Sequence, residues 1–300
     1  MRQFKEITAG EFHDFINESY EHEPLFASKA WIGALNQEGI VFFGNTLEDR
    51  LISVFVFEQL NKGPYKLLVN PYFTPYSGPW TQANVQEELS FALKHLEKKH
   101  HDIQSHFKAD DQVHNSGLKT TFTLDLTNSE EELWSAMSSD RQRNIKKAEK
   151  LGFELGSASV EELVSFYKTT AESQQLHFKY KVIESLSKAD ILTYTPKLIA
   201  GGKIVAAVFM AADAERAYYL GGGFDRTLKH ASLLSSYLLW KSILWAKQEG
   251  IKVFDFEGSD IKGIAEFYRR FGAKKIQYLS SSYLPMGFKL LQKIKHKFSV

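Results

Sequence analysis

Between residues 110 and 120 the chain reads DDQVHNSGLKT, a polar, glycine-containing stretch between a helical pattern and a fresh strand pattern, TTFTLDL. Such a break closes one packing unit and opens the next. It divides the 300 residues, about twice the usual size of one domain, into expected domains at 1–118 and 119–300. The formal net charge of +1 hides a difference between them. Residues 1–118 carry 10 Lys and Arg against 16 Asp and Glu, and residues 119–300 carry 27 against 20. Nets of −6 and +7 point the second half toward an anionic ligand.

Each half mixes helical and strand periodicities. The first reads as helices EFHDFINES and FASKAWIGAL, then strands GIVFFG and LISVFVFEQ around a turn at Asn45 to Asp49. A strand YKLLVN leads into PYFTPYSGPW, whose prolines and aromatics predict a packed, turned loop, and a helix carries Leu89, Ala92, Leu93 and Leu96. In the second half, Asn128 or Ser129 can cap SEEELWSAM, and DRQRNIKKAEK forms a helix ended by Gly152. FELGS is a short strand and VEELVSFYKTTAESQ a helix. Strands ADILTYTPKLIA and GKIVAAVFMAAD flank Gly201-Gly202, a hairpin signal, and ERAYYLGGG follows. A helix from Ala231 to Glu249, strand KVFDFEG, helix IAEFYRRF and strand KKIQYLSSSY complete the order. The expected class is α/β (α+β), each domain a mixed, mostly antiparallel sheet flanked by helices.

Composition narrows the chemistry. There is no cysteine, so disulfides, thiol nucleophiles and thiolate metal sites are excluded, and a reducing, cytoplasmic setting is expected. No apolar run approaches eighteen residues, so neither a signal peptide nor a membrane span is expected. His95, His100, His101 and His106 lack a convergent spacing, and no resident metal is expected.

The string YYLGGGFDRTLKHASLLSSYLLWKSILWAKQEGIKVFDFEGSDIKGIAEFYRRFGAKK resembles the C-terminal module of the FemAB-like branch of the GNAT acyltransferase superfamily. The shared order is a strand ending in small residues, a long helix, a DFxG strand end and an aromatic-rich helix. DRQRNIKKAEKLG is similar to that family's basic helix, and NPYFTPYSGP to its N-domain loop, so the resemblance covers about residues 20–280. It implies two GNAT-like domains in tandem and transfer of an acyl or aminoacyl group to an amine, with a link to cell-envelope precursors. The implied donor is acyl-CoA or aminoacyl-tRNA, with no tightly bound cofactor. The implied acceptor is a small-molecule or muropeptide-like amine; tRNA is a partner only if the donor is aminoacyl-tRNA, and no DNA partner is expected. The chain departs from the family twice: it has no room for a long helical arm, and Asp225 to Ala231 replaces the glycine-rich turn that holds CoA's diphosphate.

Candidate residues follow. Arg141, Arg143, Lys146 and Lys147 crowd one helix, forming either a phosphate-binding patch or a solvated face, and Lys229 and His230 precede the long helix where an anion would meet its positive end. Asp255 and Glu257 alternate with Phe254 and Phe256, so on a strand both carboxylates share a face. One could accept the amine's proton, or both could pair with cations such as Arg269 and order the site. Tyr268, four residues before Gly272, looks like the acetyltransferase tyrosine that protonates a leaving group, or is a core aromatic; Tyr219 lies in the same expected site. Gly221 to Gly223 offer backbone N–H groups to a carbonyl oxygen, or mark a bulge. His177 with Tyr180 lies in a polar loop facing either cleft or solvent. Residues 286–300 read as a basic amphipathic helix that rests on the inner face of a membrane or docks on its own domain. The competing reading is a non-catalytic GNAT-fold module that binds a phosphorylated or lipid-linked ligand.

Overall fold

A computed structural model describes residues 1–35, 38–62, 65–96, 100–105, 116–174, 180–225, 227–228 and 231–283. Lys229, His230, His177, His106 and the expected helix at 286–300 lie outside them. The chain divides into two compact units, Met1–Lys119 with Gln277–Val300, and Thr120–Ile276. The division falls beside the polar break, while residues 277–283 group with the first unit.

In the first unit, β1 (Arg2–Ile7) and α1 (Ala9–Ser19) precede a 3-10 turn (Leu25–Ala27) and α2 (Lys29–Leu35). Strands β2 (Ile40–Leu47), β3 (Arg50–Lys62), β4 (Tyr65–Val69) and β5 (Trp80–Thr81), α3 (Val85–Leu96) and β6 (His100–Ser105) follow. Next come β7 (Ser116–Asp125), which runs on into the second unit, and, after that unit, β14 (Lys274–Tyr283). The sheet order is β1-β2-β3-β4-β6-β14, with β5 on β3. All these pairs are antiparallel except β4 with β6. The unit is fastened by Glu88, a buried carboxylate on α3 that accepts from Asn45 Nδ2 (2.6 Å) and Ser53 Oγ (3.0 Å) and pairs with Arg2 (2.7 Å). Asn45 is therefore a buried strand residue, and the turn expected to start there begins at Glu48 and Asp49, both at positive φ. FASKAWIGAL likewise breaks into the 3-10 turn and α2. The loop at 70–80 packs as expected: Thr74 accepts from Trp31 Nε1 (2.9 Å), and Asn70 Nδ2 donates to the Thr74 and Pro75 carbonyls.

The second unit runs from β7 through α4 (Glu130–Ala136), α5 (Ser139–Lys150), β8 (Glu154–Ser157), α6 (Val160–Gln174) and α7 (Tyr180–Leu186). It continues with β9 (Leu192–Tyr194), β10 (Pro196–Ala200), β11 (Lys203–Ala212), β12 (Arg216–Phe224), α8 (Ala231–Gln248), β13 (Val253–Asp255) and α9 (Lys262–Arg269). Its sheet order is β7-β13-β12-β11-β10-β8, with β9 on β11. Only β12 with β13 is parallel, the pair that a long crossover helix, α8, permits. Ser129 caps α4 in a reciprocal capping box with Glu132, and Gly201 and Gly202, both at positive φ, turn β10 into β11. The core packs Met210, Leu234, Ile243, Phe254, Phe256 and Phe271, all under 2% exposed, between sheet and helices. Among the described residues, no helix is long and apolar enough to cross a membrane.

The end of α9 is pressed against the corner between α4 and α5. Ser138 N–H donates to the Arg270 carbonyl (3.0 Å), and Gly272, at φ +84°, leaves no room for a Cβ, which would lie 2.9 Å from the Ala136 carbonyl oxygen. Gly272→Ala should therefore cost about 1–3 kcal/mol, read as a lowered urea midpoint at unchanged slope. An unchanged midpoint would mean that the corner relaxes freely.

Candidate active site

The site begins where β12 and β13 part. They pair at Arg216 with Val253, Ala217 with Phe254 and Tyr218 with Asp255, and there the pairing stops. On β12 a bulge lies opposite Phe209 and Met210, leaving Leu220 as the extra residue and placing Gly221 at φ +151°. On the other side, Glu257 adopts φ +55°, a left-handed conformation that carries the chain away from the strand. The strand alternation expected for Asp255 and Glu257 is thus broken: β13 ends at Asp255, and the two carboxylates do not share a strand face.

Asp255 is fully buried and fully engaged. Its Oδ1 accepts from Thr121 Oγ1 (2.7 Å) and the Glu257 backbone N–H (3.0 Å), and its Oδ2 from Arg216 Nη1 (2.9 Å). Its ion-pair partner is Arg216; Arg269, the cation expected from sequence, binds Glu266 instead. This carboxylate ties β7, β12 and Glu257, two residues past β13, together at the fork and holds the Glu257 backbone in its left-handed turn.

Past the fork, the β12 pairing among the described residues is with β11. Asp225 N–H donates to the Val205 carbonyl (2.8 Å), and in an antiparallel ladder alternate residues face the same partner. Gly221 and Gly223 therefore bond toward β11, while the N–H and C=O of Gly222 face the side that β13 has left. Of the three glycines read as oxyanion donors, only Gly222 presents its N–H there.

On that side is a cavity of about 330 Å³. Its walls come from β11 (Ala206, Val208), β12 (Tyr219, Gly222, Gly223, Phe224), α8 (Ser235, Leu238, Leu239) and α9 (Gly263, Ile264, Phe267, Tyr268). Tyr219 and Tyr268, both read from sequence, meet here edge to face at 6.3 Å between ring centroids. Gly222 makes this arrangement fit: a Cβ there would lie 2.8 Å from the Tyr219 hydroxyl. Burial pushes the Tyr219 hydroxyl up to about 12. Burial, then the neighbouring Tyr219 and Glu257, push Tyr268 well above the ordinary phenol range. Both phenols are therefore protonated at neutral pH and carry a proton to donate.

The basic helix divides into two faces. Arg143, Lys146 and Lys147 are exposed; Arg143 pairs with Asp140, and the Lys146 ammonium lies 5.5 Å from the Trp134 ring centroid. Arg141 is buried, correcting its place in an exposed phosphate patch. Its guanidinium packs on Phe267 (4.1 Å) and Phe271 (4.7 Å), and it donates to Ser236 Oγ and the Phe267 carbonyl (3.3 Å). Burial, reinforced by Arg270, draws it down to about 10, so it stays cationic at neutral pH. The sequence held this signal: Arg141 lies four residues before Ile145 and seven before Ala148, on the core face of α5. Arg141 thereby fastens the α8 wall of the cavity to the α9 wall, a role the sequence reading missed. In the loop before α8, the Asp225 carboxylate accepts the Thr227 N–H (2.9 Å) and hydroxyl (2.6 Å), which hold it below the usual carboxylate range.

Residues 139–270 match the acetyltransferase (GNAT) domain and residues 62–183 the FemAB family. Among solved structures, FemX superposes with a TM-score of 0.64 at 13% identity, covering 96% of this chain and 99% of that one. The C-terminal domain of a putative lysylphosphatidylglycerol synthetase from Agrobacterium fabrum gives 0.57 at 10% identity, covering 95% and 94%. A tandem GNAT protein from the clavulanic acid biosynthesis pathway gives 0.53 at 10% identity, covering 95% and 99%. No curated protein matches the chain. The fold is that of the tandem GNAT proteins, and two stretches of the chain, each under half its length, match the GNAT acetyltransferase domain and the FemAB family.

The left-handed turn at Glu257 costs about 1–2 kcal/mol for a residue with a Cβ, and asparagine tolerates that conformation better. Glu257→Asn should therefore unfold at an equal or higher urea concentration than the parent chain. A drop exceeding about 1 kcal/mol would mean that the Glu257 side chain serves the fold rather than a ligand.

Proposed function

We propose that the second unit catalyses N-acyl transfer to an amine, with the donor carbonyl seated at the tyrosine end of the cavity. The observation that carries this reading is the Gly222 N–H, turned away from β11, beside an apolar cavity that ends in two protonated phenols. The Gly222 N–H and the Tyr219 hydroxyl are the donors available to the carbonyl oxygen as it gains negative charge. The amine nitrogen forms a bond to the carbonyl carbon, and the C–S bond of a thioester or C–O bond of an ester breaks. The amine's proton passes to the Glu257 carboxylate, and Tyr268 gives its proton to the departing sulfur or oxygen; solvent returns each to its starting state. Asp255 is a positioning residue that holds Glu257.

The donor is acyl-CoA or aminoacyl-tRNA, and the acceptor is a small-molecule or muropeptide-like amine of the cell envelope, as the FemAB likeness implies. The exposed Arg143, Lys146 and Lys147 face suits an anionic carrier of either kind, together with Lys229 and His230 before α8. Asp225 favours the competing reading, a module that binds ligand without chemistry, because its carboxylate already takes the Thr227 N–H in the loop where a diphosphate would need such donors.

Purified protein given labelled acyl-CoAs and aminoacyl-tRNAs with amine acceptors should yield amide product from one donor class. Tyr268→Phe should lower kcat by about 10²–10⁴ with KM little changed. Binding of a donor with no transfer to any acceptor would establish the non-catalytic module instead.

A further inference from the structure

The cavity is larger and less polar than an acetyl group requires. At about 330 Å³ it far exceeds the roughly 10–15 Å³ that one water occupies on the same measure, and so has room for more than a two-carbon group. Its polar side chains are the hydroxyls of Tyr219, Ser235 and Tyr268, and no described residue that lines it is charged. The hydroxyls of Tyr219 and Tyr268 belong to the reacting end. Away from them the walls are Val208, Phe224, Leu238, Leu239, Ile264 and Phe267. A charged group in this space would lose its hydration with no counter-ion to replace it, whereas methylene groups would gain contact.

We infer that the transferred group carries an uncharged aliphatic chain of several carbons, which lies along Leu238, Leu239 and Ile264 with its carbonyl at the tyrosines. This rests on the acyltransferase reading of the same cavity and specifies what that site accepts. Two sources share the chemistry, a simple acyl thioester and an aminoacyl ester with an aliphatic side chain. Ile264 is the specificity residue best suited to testing, because it lines the cavity yet is 38% exposed and tolerates substitution.

The test is calorimetric binding to the full chain of S-acyl-N-acetylcysteamine thioesters from acetyl to hexanoyl, with glutaryl as the charged counterpart of pentanoyl. Leucyl and lysyl 3′-adenosine esters form the second arm. Affinity should rise about fourfold per methylene, the equivalent of about 0.8 kcal/mol for each one buried. Glutaryl should bind about a hundredfold more weakly than pentanoyl, as desolvating its carboxylate requires. Ile264→Lys should reverse that preference while leaving the melting temperature close to the parent's. A ladder in the thioester series identifies the acyl source, and leucyl preferred over lysyl identifies the aminoacyl source. A flat ladder in both arms, or glutaryl equal to pentanoyl, overturns the inference even if transfer activity is present. A steep ladder without transfer from any donor leaves the binding preference standing and removes the acyltransferase reading.

Discussion

The buried carboxylate of Asp255 is the constraint on which the second unit's site depends. Three donors converge on it: a β7 hydroxyl, a β12 guanidinium and the backbone N–H of Glu257. Removing one partner of such a buried pair typically costs about 3–5 kcal/mol, so the fork is fixed. Because it is fixed, β13 ends after three residues, Glu257 stands in a left-handed turn, and β12 continues beyond its pairing with β13. The cavity occupies the space this parting creates.

A second set of contacts keeps the space open. Arg141 is a cation turned into the interior, held by two phenylalanine rings and by oxygen acceptors from α8 and α9. It therefore couples the two helices that wall the cavity. Gly222 acts on the opposite wall, where its missing side chain leaves room for the Tyr219 hydroxyl. Frame and walls together place two protonated phenols and the Gly222 N–H around a single apolar space.

Much of this was legible in the sequence, for physical reasons that differ by residue. Most of the element order followed from periodicity, and Gly201-Gly202 named its own turn, but Tyr180, expected in a loop, opens α7, and the strand expected over ADILTYTPKLIA is split into β9 and β10. Tyr219 and Tyr268 were legible through the ordered motifs of the family resemblance. Asp255 and Glu257 were placed on one strand because alternation was extended past the point where the strand ends, and nothing local announces a left-handed glutamate. Arg141 was grouped with its exposed neighbours by composition, although its spacing from Ile145 and Ala148 put it on the buried face. β1, with alternating polar residues and little apolar content, gave no strand signal of its own and forms by pairing with β2.

The Gly222 N–H is the most direct place to test the account. Amide hydrogen exchange can be followed at Gly221, Gly222 and Gly223 with and without a bound acyl or aminoacyl donor analogue. The expected result is slowed exchange at Gly222, with Gly221 and Gly223 unchanged because they already bond to β11. Donor binding that leaves Gly222 unprotected would contradict a site built on the parting of β12 and β13.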